Sequence, residues 1–191
     1  MGSLAAVAVF CGSRTGTRPV YEETARAFAR VCVDRGLALV TGGGSVGLMG
    51  AVADAALDAG GKVIGIMPQS LIDRELAHQG LSELHVVDTM HERKAAMAHR
   101  SQAAVALPGG AGTLDEWFES WTWGQLGIDP SPTGLLNVQG YFDHLLAQAD
   151  RMAADGFMSQ AHRDMLVVTR DPSDLLEALL AYQPPAPKWT R

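Results

Sequence analysis

Seven short runs of this chain are strongly apolar, several of them at consecutive positions, and helical patterns separate them. Residues 5–10, 37–41, 62–66, 84–88, 103–107, 134–138 and 165–169 read as strands. A strand with one wet face alternates apolar and polar side chains. A run that stays apolar is covered on both faces. Between the strands, residues 19–35, 48–59, 90–100, 114–125, 142–154 and 172–181 read as helices. In the first of these, Tyr21, Ala25, Phe28 and Cys32 recur at helical spacing, with Pro19 in the first turn and Gly36 just past the end. Strands buried on two sides and alternating with helices predict an α/β fold. The expected form is a doubly wound, mostly parallel sheet of about seven strands with helices on both faces.

At 191 residues the chain can bury a full core. A single domain over residues 1–182 is expected, followed by an extended tail, 183–191, rich in proline. A formal charge of −6 argues against a broad nucleic-acid-binding face. Cys11 and Cys32 are too few for a disulfide framework and lie in apolar segments, which fits reduced thiols in the cytoplasm. No apolar run approaches the roughly 20 residues that cross a bilayer, and no secretory leader is evident, so no membrane association is expected. The six histidines form no metal-binding pattern, and no cofactor or metal is expected.

In a doubly wound sheet, ligands bind at the carboxyl ends of the strands. Three glycine clusters follow strands here: Gly12, Gly42–Gly44 and the segment Pro108-Gly109-Gly110-Ala111-Gly112-Thr113-Leu114-Asp115-Glu116. Glycines let backbone N–H groups come close to a ligand, and a helix N-terminus adds positive potential. A phosphate would sit well over Gly110, Ala111, Gly112 and Thr113, with the Glu116 carboxylate about one helical turn away. The competing reading is a capping box, in which Thr113 caps the helix and Glu116 reaches back to it. Ser13, just after Cys11-Gly12, could bond a phosphate or simply serve a turn.

Gly42-Gly43-Gly44-Ser45-Val46-Gly47 carries the G-x-G-x-x-G spacing, but the next strand runs into Ile66-Met67-Pro68 with no acid to grip a ribose. A redox dinucleotide is therefore not expected. Gly43, Gly44 and Gly47 read either as phosphate or ribose contacts or as a tight turn. Thr89 and Glu92 form a second possible capping box. Beside them, Arg93 and Lys94 fall in the first turn of a helix, where cations oppose the dipole. An anion should hold them there, either a phosphate or a carboxylate such as Glu116. Leu114, Trp117, Phe118 and Trp121 make an apolar stripe suited to core or to a subunit interface; the aromatic segment 117–123 is a candidate dimer surface.

The segment Pro108–Glu116 matches the PGGxGTxxE signature of the LOG (Lonely Guy) family, whose members are cytokinin riboside 5′-monophosphate phosphoribohydrolases. Val9-Phe10-Cys11-Gly12-Ser13, Gly42 through Gly50, and Met90-His91-Glu92-Arg93-Lys94 resemble the family's other blocks in order and spacing. The resemblance implies a Rossmann-like fold and a homodimer with its active site near the interface. It also implies Arg93 and Glu116 as the catalytic pair, with Glu75, Lys94, Gly110, Ala111, Gly112, Thr113 and Thr122 lining the nucleotide site.

The expected reaction is hydrolysis of the N-glycosidic bond of a purine nucleoside 5′-monophosphate, with an N6-modified adenine as the cytokinin-type base, giving free base and ribose 5-phosphate. Two rivals remain in view. A non-catalytic nucleotide or cofactor carrier could use the same scaffold, but would not require the Arg93–Glu116 pair. A lysine decarboxylase would need pyridoxal phosphate on a lysine, and of Lys62, Lys94 and Lys188 only Lys94 lies near the expected site.

Overall fold

The computed structural model describes residues 4–72 and 77–185. Glu75 and the last six residues of the expected tail lie outside this set, and Tyr182–Pro185 carry no helix or strand.

The seven strands are β1 (Ala6–Phe10), β2 (Ala38–Thr41), β3 (Val63–Pro68), β4 (Glu83–Val87), β5 (Ala104–Ala106), β6 (Thr133–Leu136) and β7 (Leu166–Thr169). They form one sheet in the order β4-β3-β2-β1-β5-β6-β7. Every pairing is parallel, which sharpens the expected mostly parallel sheet. The helices are α1 (Pro19–Asp34), α2 (Gly47–Asp58), α3 (Gln69–Ile72), α4 (Met90–His99), α5 (Ala111–Leu126), α6 (Asp143–Ala154), α7 (Gln160–Arg163) and α8 (Pro172–Leu180).

Alternate side chains of β1 enter two different cores. Val7 and Val9 join Phe28 and Cys32 of α1, Val52 of α2 and Leu175 and Leu176 of α8. Ala6, Ala8 and Phe10 join Met97 of α4, Trp117 and Trp121 of α5 and Ala149 of α6. Both faces of the central strand are therefore dry, as its unbroken apolar run requires. Edge strand β4 departs from this: Leu84 and Val86 are exposed, while the half-buried Glu83 carboxylate bonds Lys62 at 2.6 Å and His85 at 2.8 Å.

Trp117 and Trp121 belong to the core of their own chain, the first of the two readings of the stripe, while Phe118 and Trp123 are half-buried and Thr122 is exposed. The Trp117 and Trp121 indole N–H groups donate to the Gly134 carbonyl at 3.1 Å and the His162 carbonyl at 3.0 Å, tying α5 to β6 and α7. His162 is itself buried. The short helices α3 and α7 and the 3-10 turn Val138–Gly140 have no counterpart in the sequence reading. Each is too short to show a hydrophobic period.

Trp117→Ala should lower unfolding free energy by about 3–5 kcal/mol, through lost burial, a residual cavity and a lost hydrogen bond. Urea denaturation measures it; a change below about 1 kcal/mol would mean that Trp117 does not anchor this face.

Candidate active site

The chain winds outward from β1 to β4 and then returns to place β5 on the other side of β1. The loops after β1 and β5 therefore part toward opposite faces and leave a crevice at their carboxyl ends. The two loops touch at its floor. Gly12 N–H donates to the Pro108 carbonyl at 3.1 Å, and Leu48 N–H, at the start of α2, donates to the Gly12 carbonyl at 2.9 Å. Gly109 packs so closely on Thr113 that a Cβ there would overlap the threonine hydroxyl.

Helix α5 opens in this crevice at Ala111, with Gly110 as its cap residue. The expected helix, 114–125 with Thr113 as its cap, thus opens three residues late, and the Thr113–Glu116 capping box is absent. Thr113 is buried inside the first turn, and Gly110 has no side chain to cap the helix. The first N–H groups of α5 consequently face the crevice with no side-chain acceptor among the described residues, and no acid lies in its first turn to cancel the dipole. The second expected box does form. Thr89 Oγ1 accepts from Glu92 N–H at 3.1 Å, and the Glu92 carboxylate accepts from Asp88 N–H at 3.0 Å, so Glu92 caps α4.

That cap sets Arg93 one residue further along, pointing inward. Arg93 Nη2 lies 3.3 Å from Glu116 Oε1, with the two side chains only 10% and 11% exposed. Each charge offsets the burial of the other, and losing either partner strands a buried charge, a cost of about 3–5 kcal/mol. Arg93 Nη1 approaches the Met90 sulfur at 3.7 Å, while the buried Nε has no hydrogen-bond partner among the described residues. Unspent donors of this kind cluster at ligand sites.

Around the pair lies an open cavity of about 310 Å³, into which Ser13, Met49, Met90, Gly110, Gly112 and Thr113 also face. Cys11 is at its wall, half-buried. Burial, and then the nearby Glu116 carboxylate, push its thiol far above the ordinary range. Cys32, deep in the core, is pushed up to about 12 by burial alone. The arrangement can hold an anion at the α5 N-terminus and stabilise positive charge beside Glu116.

Other expected contacts fall elsewhere. Gly43, Gly44 and Gly47 do not line this cavity. Gly43 N–H bonds the Thr41 hydroxyl at 3.2 Å, Gly44 bridges to Ala77, and Gly47 presses on the Ser13–Arg14 backbone with a φ of 59°. Thr122 is exposed on α5, well past the first turn, and His91 is exposed on α4. Lys94 turns to the other side of Glu116, bonding Asp115 at 2.8 Å and Glu119 at 3.3 Å. Burial opposes its charge, but the two carboxylates more than offset this and raise the Lys94 ammonium above the usual range. An amine so held does not suit a Schiff base with pyridoxal phosphate. Among the described residues, no three His, Cys, Asp or Glu side chains gather as a metal centre.

The family model described as "possible lysine decarboxylase" matches residues 49–179. A probable cytokinin riboside 5′-monophosphate phosphoribohydrolase of Oryza sativa subsp. japonica is 49% identical over 178 residues, covering 93% of this chain and 78% of the relative. The chain belongs to the LOG family. A second LOG relative, the cytokinin riboside 5′-monophosphate phosphoribohydrolase of Arabidopsis thaliana, is 47% identical over 93% of this chain and 78% of its own. The fold is shared more widely than the LOG family. The molybdenum cofactor carrier protein of Chlamydomonas reinhardtii superposes with a TM-score of 0.69 at 20% identity, over 94% of this chain and 99% of the other. A molybdenum cofactor binding protein of Rippkaea orientalis gives 0.71 at 22% identity, over 95% and 98%. No helix among the described residues of this LOG chain is long and apolar enough to cross a membrane.

One residue of the LOG site escaped the sequence reading. Gly42 lies directly under the Arg93 guanidinium, and a Cβ there would overlap Nη2. The available signal was a glycine motif whose first glycine lacked the ribose-binding acid that would explain it. Gly42→Ala should push the guanidinium off Glu116 and cost up to about 3–5 kcal/mol in stability, because the displaced cation leaves a buried carboxylate behind. Thermal unfolding together with a crystal structure of the variant checks this; an unmoved Arg93–Glu116 pair would refute it.

Proposed function

We propose that this chain hydrolyses the N-glycosidic bond of cytokinin-type nucleoside 5′-monophosphates, which carry an N6-substituted adenine, to free base and ribose 5-phosphate. The observation that carries the reading is the buried Arg93–Glu116 pair, set one helical turn below an uncapped helix N-terminus in a cavity of nucleotide size. The activity for which the LOG relatives are named supports it.

In the proposed mechanism, the N–H groups of Gly110, Ala111, Gly112 and Thr113 hold the 5′-phosphate, and Ser13 faces it from the β1 loop. The sugar then lies with its anomeric carbon toward Glu116. As the C1′–N9 bond lengthens, positive charge builds on the ribose, and an ionised Glu116 stabilises it. Water adds its oxygen to C1′, and its proton goes to the departing base. Because the guanidinium that aims Glu116 also favours its ionised form, the carboxylate is a weak base. Electrostatic stabilisation and positioning of the water therefore outweigh proton abstraction in this scheme. Lys94 acts behind the pair, fastening α4 to α5 through Asp115 and Glu119.

The same proposal takes the functional unit to be a cytoplasmic homodimer of one domain per chain, residues 1–182. Thr122 is outside the cavity of its own chain, so a contact from it to substrate would need the second subunit; Glu75 is kept as a substrate contact on the family resemblance. A carrier without catalysis is the alternative on this fold, and it differs in leaving bound nucleotide intact.

AMP and its N6-isopentenyl derivative should release free base at least about a hundredfold faster, in kcat/KM, than the corresponding nucleosides, since phosphate binding is what aligns the sugar. Base release followed by chromatography reads this directly. Equal turnover of nucleotide and nucleoside would reject phosphate alignment, and binding without base release would favour the carrier. Glu116→Gln, similar in shape but uncharged, should lower kcat by about 10²–10³ while KM changes only a few-fold. An unaltered kcat would remove Glu116 from the mechanism.

A further inference from the structure

The crevice holds more room than a mononucleotide needs. A second cavity of about 470 Å³ lies on the α1 side of the β1 and β5 loops. It shares Gly12, Ser13 and Gly110 with the cavity around Arg93 and Glu116, so the two adjoin across the loops that would carry the 5′-phosphate. Of the three shared residues two are glycines: a Cβ placed on Gly110 would meet no described atom within 4 Å, whereas one on Gly12 would crowd the Arg14 carbonyl and Gly109.

The wall of this second cavity has a definite chemistry. Among the described residues Arg14 is its one charged side chain, exposed and without an ion pair or hydrogen bond to any of them, and none of them brings a carboxylate to its wall. The wall also carries two tyrosine rings, Tyr21 and Tyr141, packed edge to face with centroids 5.7 Å apart, and the Arg18 guanidinium lies over the Tyr21 ring at 5.7 Å. The Tyr141 hydroxyl donates to the Gly109 carbonyl at 2.6 Å, which holds its ring against the phosphate loop. A cation that pairs with phosphate beside aromatic faces that stack on a base is the recognition chemistry of a nucleotide.

Resting on the reading that the first cavity takes a nucleoside 5′-monophosphate, we propose that the second cavity binds the distal nucleoside of a dinucleotide joined through a 5′,5′-diphosphate. The near half occupies the Arg93–Glu116 cavity, the diphosphate crosses at Gly12, Ser13 and Gly110 under Arg14, and the far base lies against Tyr141 and Tyr21. A lone second phosphate displaces only a few waters, at about 30 Å³ each, and would leave most of this space empty. The near half is cleaved as a mononucleotide would be. Its C1′–N9 bond breaks, water supplies the oxygen that bonds C1′ and the proton that leaves with the base, and the diphosphate bridge stays intact.

The test is competition in the wild-type protein. Base release from AMP, or from isopentenyl-AMP if that is turned over faster, is measured against added ADP and against diadenosine 5′,5′-diphosphate. The dinucleotide should inhibit at a concentration about tenfold or more below ADP, and should itself yield adenine and ADP-ribose. Arg14→Gln should weaken the dinucleotide about tenfold while leaving kcat/KM for the mononucleotide within about twofold. Equal inhibition by ADP and the dinucleotide would overturn the proposal, as would an Arg14→Gln variant that binds the dinucleotide unchanged. Should neither mononucleotide be hydrolysed, it is the proposed activity that fails. Calorimetric titration of the same protein with AMP and with the dinucleotide then decides the second cavity by itself, with equal affinities overturning it.

Discussion

Contact between the β1 and β5 loops is the constraint from which the site follows. Both strands end at the same level and pair in parallel, yet their chains must leave toward opposite faces. The Gly12 N–H bond to the Pro108 carbonyl closes that divergence at its base. With the loops closed there, α2 and α5 begin on either side of one crevice, and the α5 N-terminus has nowhere to point except into it. The dry sheet below serves as a rigid mount. Its two cores are filled by branched aliphatics on one side and the α5 tryptophans on the other, so the ends of the helices are fixed by packing well away from the chemistry.

Electrostatics within the crevice is arranged by charge sharing between two helices. Helix α4 starts with the Thr89–Glu92 cap followed by two cations, and α5 contributes three carboxylates, Asp115, Glu116 and Glu119, toward them. Arg93 takes Glu116 on the cavity side, and Lys94 takes the other two behind it. Each cation sits badly with respect to its own helix dipole and well with respect to its neighbour's acids. The local misfit is thereby the price of a charged group held in a dry position.

Much of the fold was legible because burial on both faces writes itself into consecutive apolar residues. All seven expected strands overlap those observed, with ends displaced by no more than two residues. Single-turn helices such as α3 and α7 left no periodic trace. At the site, Arg93 was legible as a cation in the wrong turn of a helix, and Glu116 as an acid after a glycine loop. Their pairing depends on a fold that brings α4 beside α5, which no local pattern states. Lys94 and Glu119 were harder: a neighbouring basic residue offers no sequence clue to which side of a helix it will serve. Gly42 was illegible for the opposite reason. Its role is to leave space for an atom that is distant in sequence, and a space has no pattern of its own.

The sulfur of Cys11 gives the crevice one further property. A thiol attacks electrophiles and peroxides only as the thiolate, and both its burial and the adjacent negative charge keep Cys11 protonated. The carboxylate that would welcome a cationic sugar thus acts as an insulator for the one sulfhydryl in reach. Covalent reagents aimed at that sulfur would meet an unreactive group in the resting protein. A ligand bearing positive charge against Glu116 would lift part of that protection, so the chemical vulnerability of the pocket depends on what it holds.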